Sequence, residues 1–498
     1  MPDRQPFNGR ARMPSAARTA NGHHSLAANG QPTTTLEEPA LPATIDYTAV
    51  RELRRRVSEE LTTILRDTPN VSHEHRQAEG ERIAARVVSA HVDTLGQAGQ
   101  PVSLEHETAL LDAVAADLFG VGRLQSLLDR HDIVNVHIIG CDNVRIEHTD
   151  GRISIGSPVA DTDDELVGMC QVLAMRAGAT ERSLSSSKPW LDMQLPDGSR
   201  LTVIYQVAVR PYVVIRKHTL VNVTLDELRD TYGAIDHLLC DFLSAAVDAG
   251  LNIMIAGLAD AGKTTMLRGL SARIPENEQY VTLEESRELG THHIRPWVMS
   301  LEAREGHGAR AADGRPAGEV TISDMIPITL RLSVQRIIVG EVRSREIVPM
   351  LQAMSTSRGS MCTIHARNSR SVIDRIIELA LQHGPEMTAD LARRMTAGAI
   401  DLIVYITVED DTRLGGRKHR YVSEVIEVGG MNDDRMVTTA IFGPGRDGRA
   451  VPRHPPERLR DQLVRVGYDP RTLTSYIQLG DDNQGAWTAA LDSLKRRR

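Results

Sequence analysis

One stretch of the chain has the residue types and spacing to grip phosphate. Gly257-Leu-Ala-Asp-Ala-Gly262-Lys263-Thr264 satisfies GxxxxGK[ST], a loop whose backbone N–H groups turn inward around phosphate oxygens. The glycines permit that turn, and a helix beginning near Lys263 adds the positive potential of its N-terminus. Lys263 would reach the β and γ phosphates, and the Thr264 hydroxyl would sit on Mg²⁺. With 38 glycines and only five lysines (188, 217, 263, 418 and 495) in 498 residues, about 0.003 such matches are expected by chance. Gly257, Ala261, Gly262, Lys263, Thr264 and Thr265 are therefore the expected contacts to ATP.

A phosphate loop alone does not name a reaction, so the ends of the other strands matter. In open α/β sheets, ligands gather beyond the carboxyl ends of the strands. Three more apolar runs end in polar residues. Val281–Leu283 runs into Glu284-Glu285, Arg336–Val339 into Gly340-Glu341-Val-Arg343, and Met361–Ile364 into His365. A carboxylate there can orient or deprotonate water, and another can hold Mg²⁺ through water. Arg343 could neutralise charge in the transition state, and His365 could polarise or sense the terminal phosphate. Each alone is an ordinary strand-end charge. Their coincidence after a phosphate loop marks Glu284, Glu341, Arg343 and His365 as candidate catalytic residues, with Glu341 and Thr264 towards Mg²⁺.

These residues need a scaffold, and the pattern around them supplies one. From Asn252 to about residue 385, continuous apolar runs alternate with helical stretches, the mark of a parallel sheet covered on both faces. Further strands at 402–407, 421–428 and 436–442 either extend that sheet or form a small annex. A helix over 235–248 presents Leu238, Leu239, Phe242, Leu243 and Ala246 on one face, and Thr224 with Glu227 forms a capping box upstream. Between residues 118 and 217, short alternating runs with AspGly and ProAspGly turns predict a mixed α+β domain. The expected divisions are a disordered tail over 1–45, a helical region over 46–117 and an α+β domain over 118–220. A linker at 221–235, an ATPase domain at 236–455 and a C-terminal helix and tail at 456–498 follow.

The stretches Ile337-Ile-Val-Gly-Glu341-Val-Arg343, MetLeuGlnAlaMet (350–354) and GlySerMetCysThrIleHis (359–365) closely resemble the CpaF-type ATPases. Those belong to the superfamily of type II/type IV secretion and type IV pilus motors. Val281-Thr-Leu-Glu284-Glu285 resembles that superfamily's aspartate box, while LeuProAspGlySerArg (195–200) and ValIleArgLys (214–217) resemble its N-terminal domain. The resemblance implies a RecA-like P-loop motor preceded by a PAS-like domain, six copies in a ring, and ATP held between domains. It also implies ATP hydrolysis that drives pilus assembly or export, coupled to a platform protein of the inner membrane. By the same likeness Glu284 is the aspartate-box carboxylate, Glu341 the Walker B glutamate and His365 the histidine-box residue. Arg200, Arg216 and Arg304 become arginines directed at the nucleotide.

The sequence departs from that pattern in the phosphate loop. The usual GlyThrGly at its centre is Leu258-Ala-Asp260, which puts a carboxylate into a loop meant for phosphate. Two readings follow: a hydrolysing motor, or a nucleotide-gated assembly subunit that scarcely turns ATP over. A third, a DNA-moving ATPase, is disfavoured by a net charge of −8 and 3% aromatic residues, so no direct nucleic-acid contact is expected. The hydrophobic share of 41% is that of a soluble globular protein, and no apolar run approaches 18 residues, so no membrane insertion is expected. The four cysteines are scattered, which fits a reduced, cytoplasmic setting, and the resemblance implies a place at the inner face of the membrane through partners. The histidine pairs 73/75 and 292/293 lack acidic or cysteine companions at ligand spacing. The glycine-rich stretch 306–318 reads as an exposed flexible connection, and the basic end at 495–498 as solvated charge.

Overall fold

The computed structural model describes residues 45–65, 73–130, 132–149, 152–176, 184, 189–195, 198–217, 222–304, 306–310, 314–411, 418–433 and 435–478. The expected tail at 1–45 and the basic end at 495–498 therefore lie outside the described residues, apart from Ile45. The chain divides into two compact units, Met1–Asp112 and Ala113–Arg498. In the first, helices Tyr47–Leu65 and His73–Gln97 bury Val50, Leu53, Val57, Ile83 and Val88. The helical pattern expected from Tyr47 to Asp117 is carried by three helices, the third being Leu104–Phe119.

The second unit begins with six antiparallel strands. These are β1 (Ile133–Ile139), β2 (Asn143–His148), β3 (Ile153–Gly156), β4 (Trp190–Gln194), β5 (Arg200–Ile204) and β6 (Tyr212–Arg216). They lie in the order β3-β2-β1-β6-β5-β4. Val213 and Ile215 of β6 face inward and alternate with more exposed neighbours, the period-two pattern of a sheet with one covered face. Leu166, Val167, Cys170 and Leu173 of helix Asp163–Arg176 join that core.

The remaining strands are β7 (Ile253–Gly257), β8 (Tyr280–Glu284), β9 (Val298–Glu302), β10 (His307–Arg310), β11 (Pro316–Ala317), β12 (Arg336–Val342), β13 (Met361–His365), β14 (Leu402–Asp410), β15 (Lys418–Asn432), β16 (Arg435–Pro444) and β17 (Ala450–Pro452). Nine of them form one sheet in the order β17-β16-β15-β14-β7-β13-β12-β8-β9. From β14 to β9 neighbours run parallel, while β15, β16 and β17 are added antiparallel. The last strands extend the sheet and form no separate annex. Every residue of β7 is buried because both faces are covered. Ile253 and Ile255 join one apolar layer with Phe242 and Leu267, while Met254 and Ala256 join the other with Met350 and Ile376.

Local signals behave as their chemistry requires. Thr224 Oγ1 accepts from the Glu227 N–H at 3.2 Å, and Glu227 Oε2 accepts from the Thr224 N–H at 2.9 Å, closing the capping box. Asp236 caps the next helix, His237–Asp248, by accepting from Leu239 N–H at 2.8 Å. Within the glycine-rich stretch read as a flexible connection, β10 pairs with β11, and Arg315 of the same stretch bonds Glu319 and Asp324.

Candidate nucleotide-binding site

The central strand β7 delivers the loop 257–262 to the carboxyl edge of the sheet, and helix Lys263–Ala272 leaves it. Gly257 has to be glycine, since a Cβ there would stand 2.6 Å from the Ile406 carbonyl oxygen of β14. Gly262 takes φ +89°, a left-handed turn that starts the helix and that side chains resist. β13 and β12 end beside this turn, because β13 is β7's neighbour and β12 is β13's. Residues more than 100 positions apart are thereby brought together.

Lys263 is 7% exposed, with its ammonium directed at two acceptors. Nζ donates to the Leu258 carbonyl at 2.8 Å and lies 3.1 Å from His365 Nδ1. Burial lowers its pKa to about 8; Glu341 and Asp260 oppose that shift, while Arg216 and Arg343 add to it. A polyanion entering the loop would relieve this strain on the charge. His365 Nε2 lies 2.8 Å from Glu341 Oε1. These partners assign an imidazole that accepts at Nδ1 and carries a proton at Nε2.

Glu341 also accepts from Arg343 Nη2 at 2.5 Å. Burial pushes the Glu341 carboxyl up, but His365 and Arg343 outweigh it and hold the group at about 2. It is an anion at any physiological pH. Glu341, Arg343 and His365 line a cleft of about 180 Å³ together with Val342 and Arg375. That volume suits a phosphoryl group and water and falls below the few hundred Å³ of a pocket for a whole nucleotide. A larger groove of about 810 Å³, lined by residues from Pro455 to Thr474, contains none of these groups.

Glu284, at the end of β8, is buried and turned to a different task. Its Oε1 accepts the N–H groups of Glu288 at 2.9 Å and Leu289 at 2.8 Å, while Oε2 has no hydrogen-bond partner among the described residues. Burial raises its pKa to about 7, against the pull of those two N–H donors. Between about pH 4.5 and 7 the folded protein therefore holds a proton that the unfolded chain has released. The group destabilises the fold as pH rises through that window, by about 3 kcal/mol at most. Glu284→Gln should remove this dependence, so the thermal midpoint of the variant should gain on that of wild type between pH 5 and pH 8. A difference unchanged across that range would mean that Glu284 titrates as an ordinary carboxyl.

The three arginines expected at the nucleotide fare differently. Arg216, at the exposed end of β6, stands near enough to Lys263 to depress its pKa. Arg200 is occupied, bonded to Asp192 and, at 3.1 Å, to Glu288. Arg304 donates to the Gly318 carbonyl at 2.7 Å, and no contact joins it to the loop among the described residues. Ala261 is buried, and Thr264 and Thr265 are half-buried on the first turn of the helix.

Sequence reasoning missed three participants. Arg268, buried on the same helix, donates to the carbonyls of Glu288 and Leu289 and so ties the phosphate loop's helix to the turn that Glu284 caps. Lys418 and Arg420 of β15 reach the loop itself. Lys418 Nζ donates to Asp260 Oδ2 at 2.7 Å, and Arg420 Nη2 donates to both carboxylate oxygens at 3.0 and 3.1 Å. The rarity of lysine was the one available signal for Lys418, and nothing local pointed to the arginines.

Residues 125–405 match the family described as type II/IV secretion system protein. The chain belongs to that family. A Mycobacterium tuberculosis protein named for conjugal transfer is 30% identical over 352 residues, covering 69% of this chain and 95% of its own length. The type IV secretion system protein PtlH of Bordetella pertussis is 29% identical over 270 residues, covering 49% of this chain and 76% of that one. An uncharacterized protein of Methanocaldococcus jannaschii is 27% identical over 390 residues, and this chain spans 76% of itself and 66% of that relative. The matched segment of the type II/IV secretion family contains β7, β8, β12 and β13, and with them Lys263, Glu284, Glu341, Arg343 and His365, while Lys418 and Arg420 lie beyond it. Among the described residues no helix is long and apolar enough to cross a membrane.

Proposed function

We propose that this member of the type II/IV secretion family is an ATPase that powers protein secretion or pilus assembly. The observation that carries the reading is the buried Lys263 ammonium, held by a carbonyl and by His365, which itself lines a cleft with Glu341 and Arg343. Incoming phosphate offers Lys263 a better partner than the Leu258 carbonyl. The loop N–H groups and the helix N-terminus bind the β phosphate, and Lys263 holds the β and γ oxygens. His365, released from Lys263, faces the terminal phosphate, and Arg343 turns towards charge that develops there. Glu341 orients the attacking water.

The donor set fits Mg²⁺: a threonine hydroxyl at Thr264 and, through water, a carboxylate at Glu341 that stays ionised. Thr264 and Glu341 would hold the ion, and its charge would offset that of the phosphates. Glu284 acts from β8 as a second carboxyl. Arg216 closes on the phosphates from β6, Arg200 joins it after leaving Glu288, and Arg304 contributes from its loop.

In this reading residues 236–455 form a RecA-like motor and 118–220 a PAS-like domain. The motor offers phosphate contacts on one side only, and Arg200 and Arg216 lie in the other domain, so the site closes by domain movement within a ring of six copies. That ring docks on a membrane platform protein at the inner face of the cell membrane. The alternative of a subunit that scarcely hydrolyses rested on Asp260, and the cations on that carboxylate favour turnover.

Multiple-turnover phosphate release from the purified full chain tests the reading, with Lys263→Ala as background. Light scattering with ATP and Mg²⁺ should show a species of six times the mass of one chain. Release no faster than the background overturns the ATPase assignment, and full activity from a strict monomer overturns the ring.

A further inference from the structure

Asp260 is the one residue of the phosphate loop whose backbone and side chain are both held from outside it. Its φ is +60°, a left-handed conformation that aspartate tolerates better than most side chains. The Arg420 Nε donates to the Asp260 carbonyl oxygen at 2.8 Å, while Nη2 of the same guanidinium forks across the two carboxylate oxygens. Lys418 closes the third side at 2.7 Å, and its ammonium also stands 3.6 Å from Asp410. Both cations lie on β15, which pairs with β14 so that Lys418 faces Asp410 and Arg420 faces Val408. The loop thus reaches across β14 to a strand that begins more than 150 residues later.

This arrangement answers an electrostatic problem. A carboxylate within Coulomb reach of Lys263 sits in a loop that must receive a polyanion. Although burial acts to raise its pKa, Lys418 and Arg420 hold Asp260 below the usual carboxylate range, so the charge stays. We infer that Lys418 and Arg420 are positioning residues of the nucleotide site, which neutralise Asp260 and so let the loop accept phosphate. They act through Asp260 and need not touch the nucleotide. The inference rests on the reading of Lys263 as a nucleotide-binding residue.

The two cations and the carboxylate are partly exposed, so the cluster adds little to stability as such. Its effect belongs in nucleotide affinity, and a double-mutant cycle isolates it. Arg420→Ala should weaken ATP binding about tenfold, with the loss growing at low salt, because an uncompensated carboxylate then faces the phosphates. In an Asp260→Gly background, which fits the left-handed backbone, adding Arg420→Ala should change affinity less than about twofold. Arg420→Gln serves the same comparison should the alanine variant not fold.

An equal loss in both backgrounds overturns the inference. Arg420 would then act through the Asp260 backbone carbonyl or on the phosphates directly. Normal wild-type binding with an indifferent Arg420→Ala overturns the inference alone. A wild-type protein that binds ATP no better than Lys263→Ala overturns the nucleotide reading and the inference with it.

Discussion

Lys263→Ala is expected to abolish ATP turnover, by about 10²–10³-fold or more, and to weaken nucleotide binding at least about tenfold. The substitution removes the point charge that the loop brings to the phosphates. It also leaves the Leu258 carbonyl and His365 Nδ1 without their donor. Isothermal titration with ATP beside steady-state phosphate release measures both effects, with a thermal midpoint to check folding. Turnover within a few-fold of wild type would remove the loop from the reaction.

The second large effect separates hydrolysis from binding. Glu341→Gln keeps size and hydrogen bonding while removing a charge that His365 and Arg343 hold ionised. ATP affinity should stay within a few-fold of wild type, because Glu341 lies at the end of β12 and not in the loop that grips phosphate. Single-turnover hydrolysis should fall about 10²-fold or more, the usual scale for a positioned acid–base or electrostatic group. Glu284→Gln, compared in parallel, keeps the oxygen that accepts from Glu288 and Leu289, so it tests the carboxyl's charge apart from its turn-capping role. Near-normal hydrolysis in Glu284→Gln would leave Glu341 as the sole carboxylate of the mechanism. Near-normal hydrolysis in both variants would sink the site as drawn.

The two positions show why different parts of the site demand different evidence. A carboxyl near 2 and one near 7 sit at the ends of strands separated by no other strand. Their sequence contexts are alike: an apolar run ending in glutamate. The difference lies in company: His365 and Arg343 hold Glu341 down, while burial raises Glu284 against the pull of its two backbone N–H donors. Residue types alone do not carry that information.

Much of the scaffold was legible in the chain because its signals are local. The pattern Gly257 to Thr264 places a strand before it and a helix after it, since glycine turns, a lysine and a hydroxyl must fall within one loop. Continuous apolar runs marked β7, β8, β12 and β13 as members of a parallel sheet because both faces must be covered. The capping box at Thr224 was readable for the same reason, its partners being three residues apart. Strands β3, β4, β9 and β17, all at sheet edges, escaped along with the short pair β10 and β11; β3 is half-exposed and Trp190 of β4 is open to solvent. What only the tertiary structure decided is which charges meet. Strand order sets His365 against Lys263 and Glu341, turns Arg200 towards Asp192 and Glu288, and carries Lys418 and Arg420 over β14 to Asp260. The Asp260 carboxylate looks like a fault in the sequence, because its counter-charges lie 158 and 160 residues away. Electrostatic interactions act through space, and only the folded sheet sets those distances.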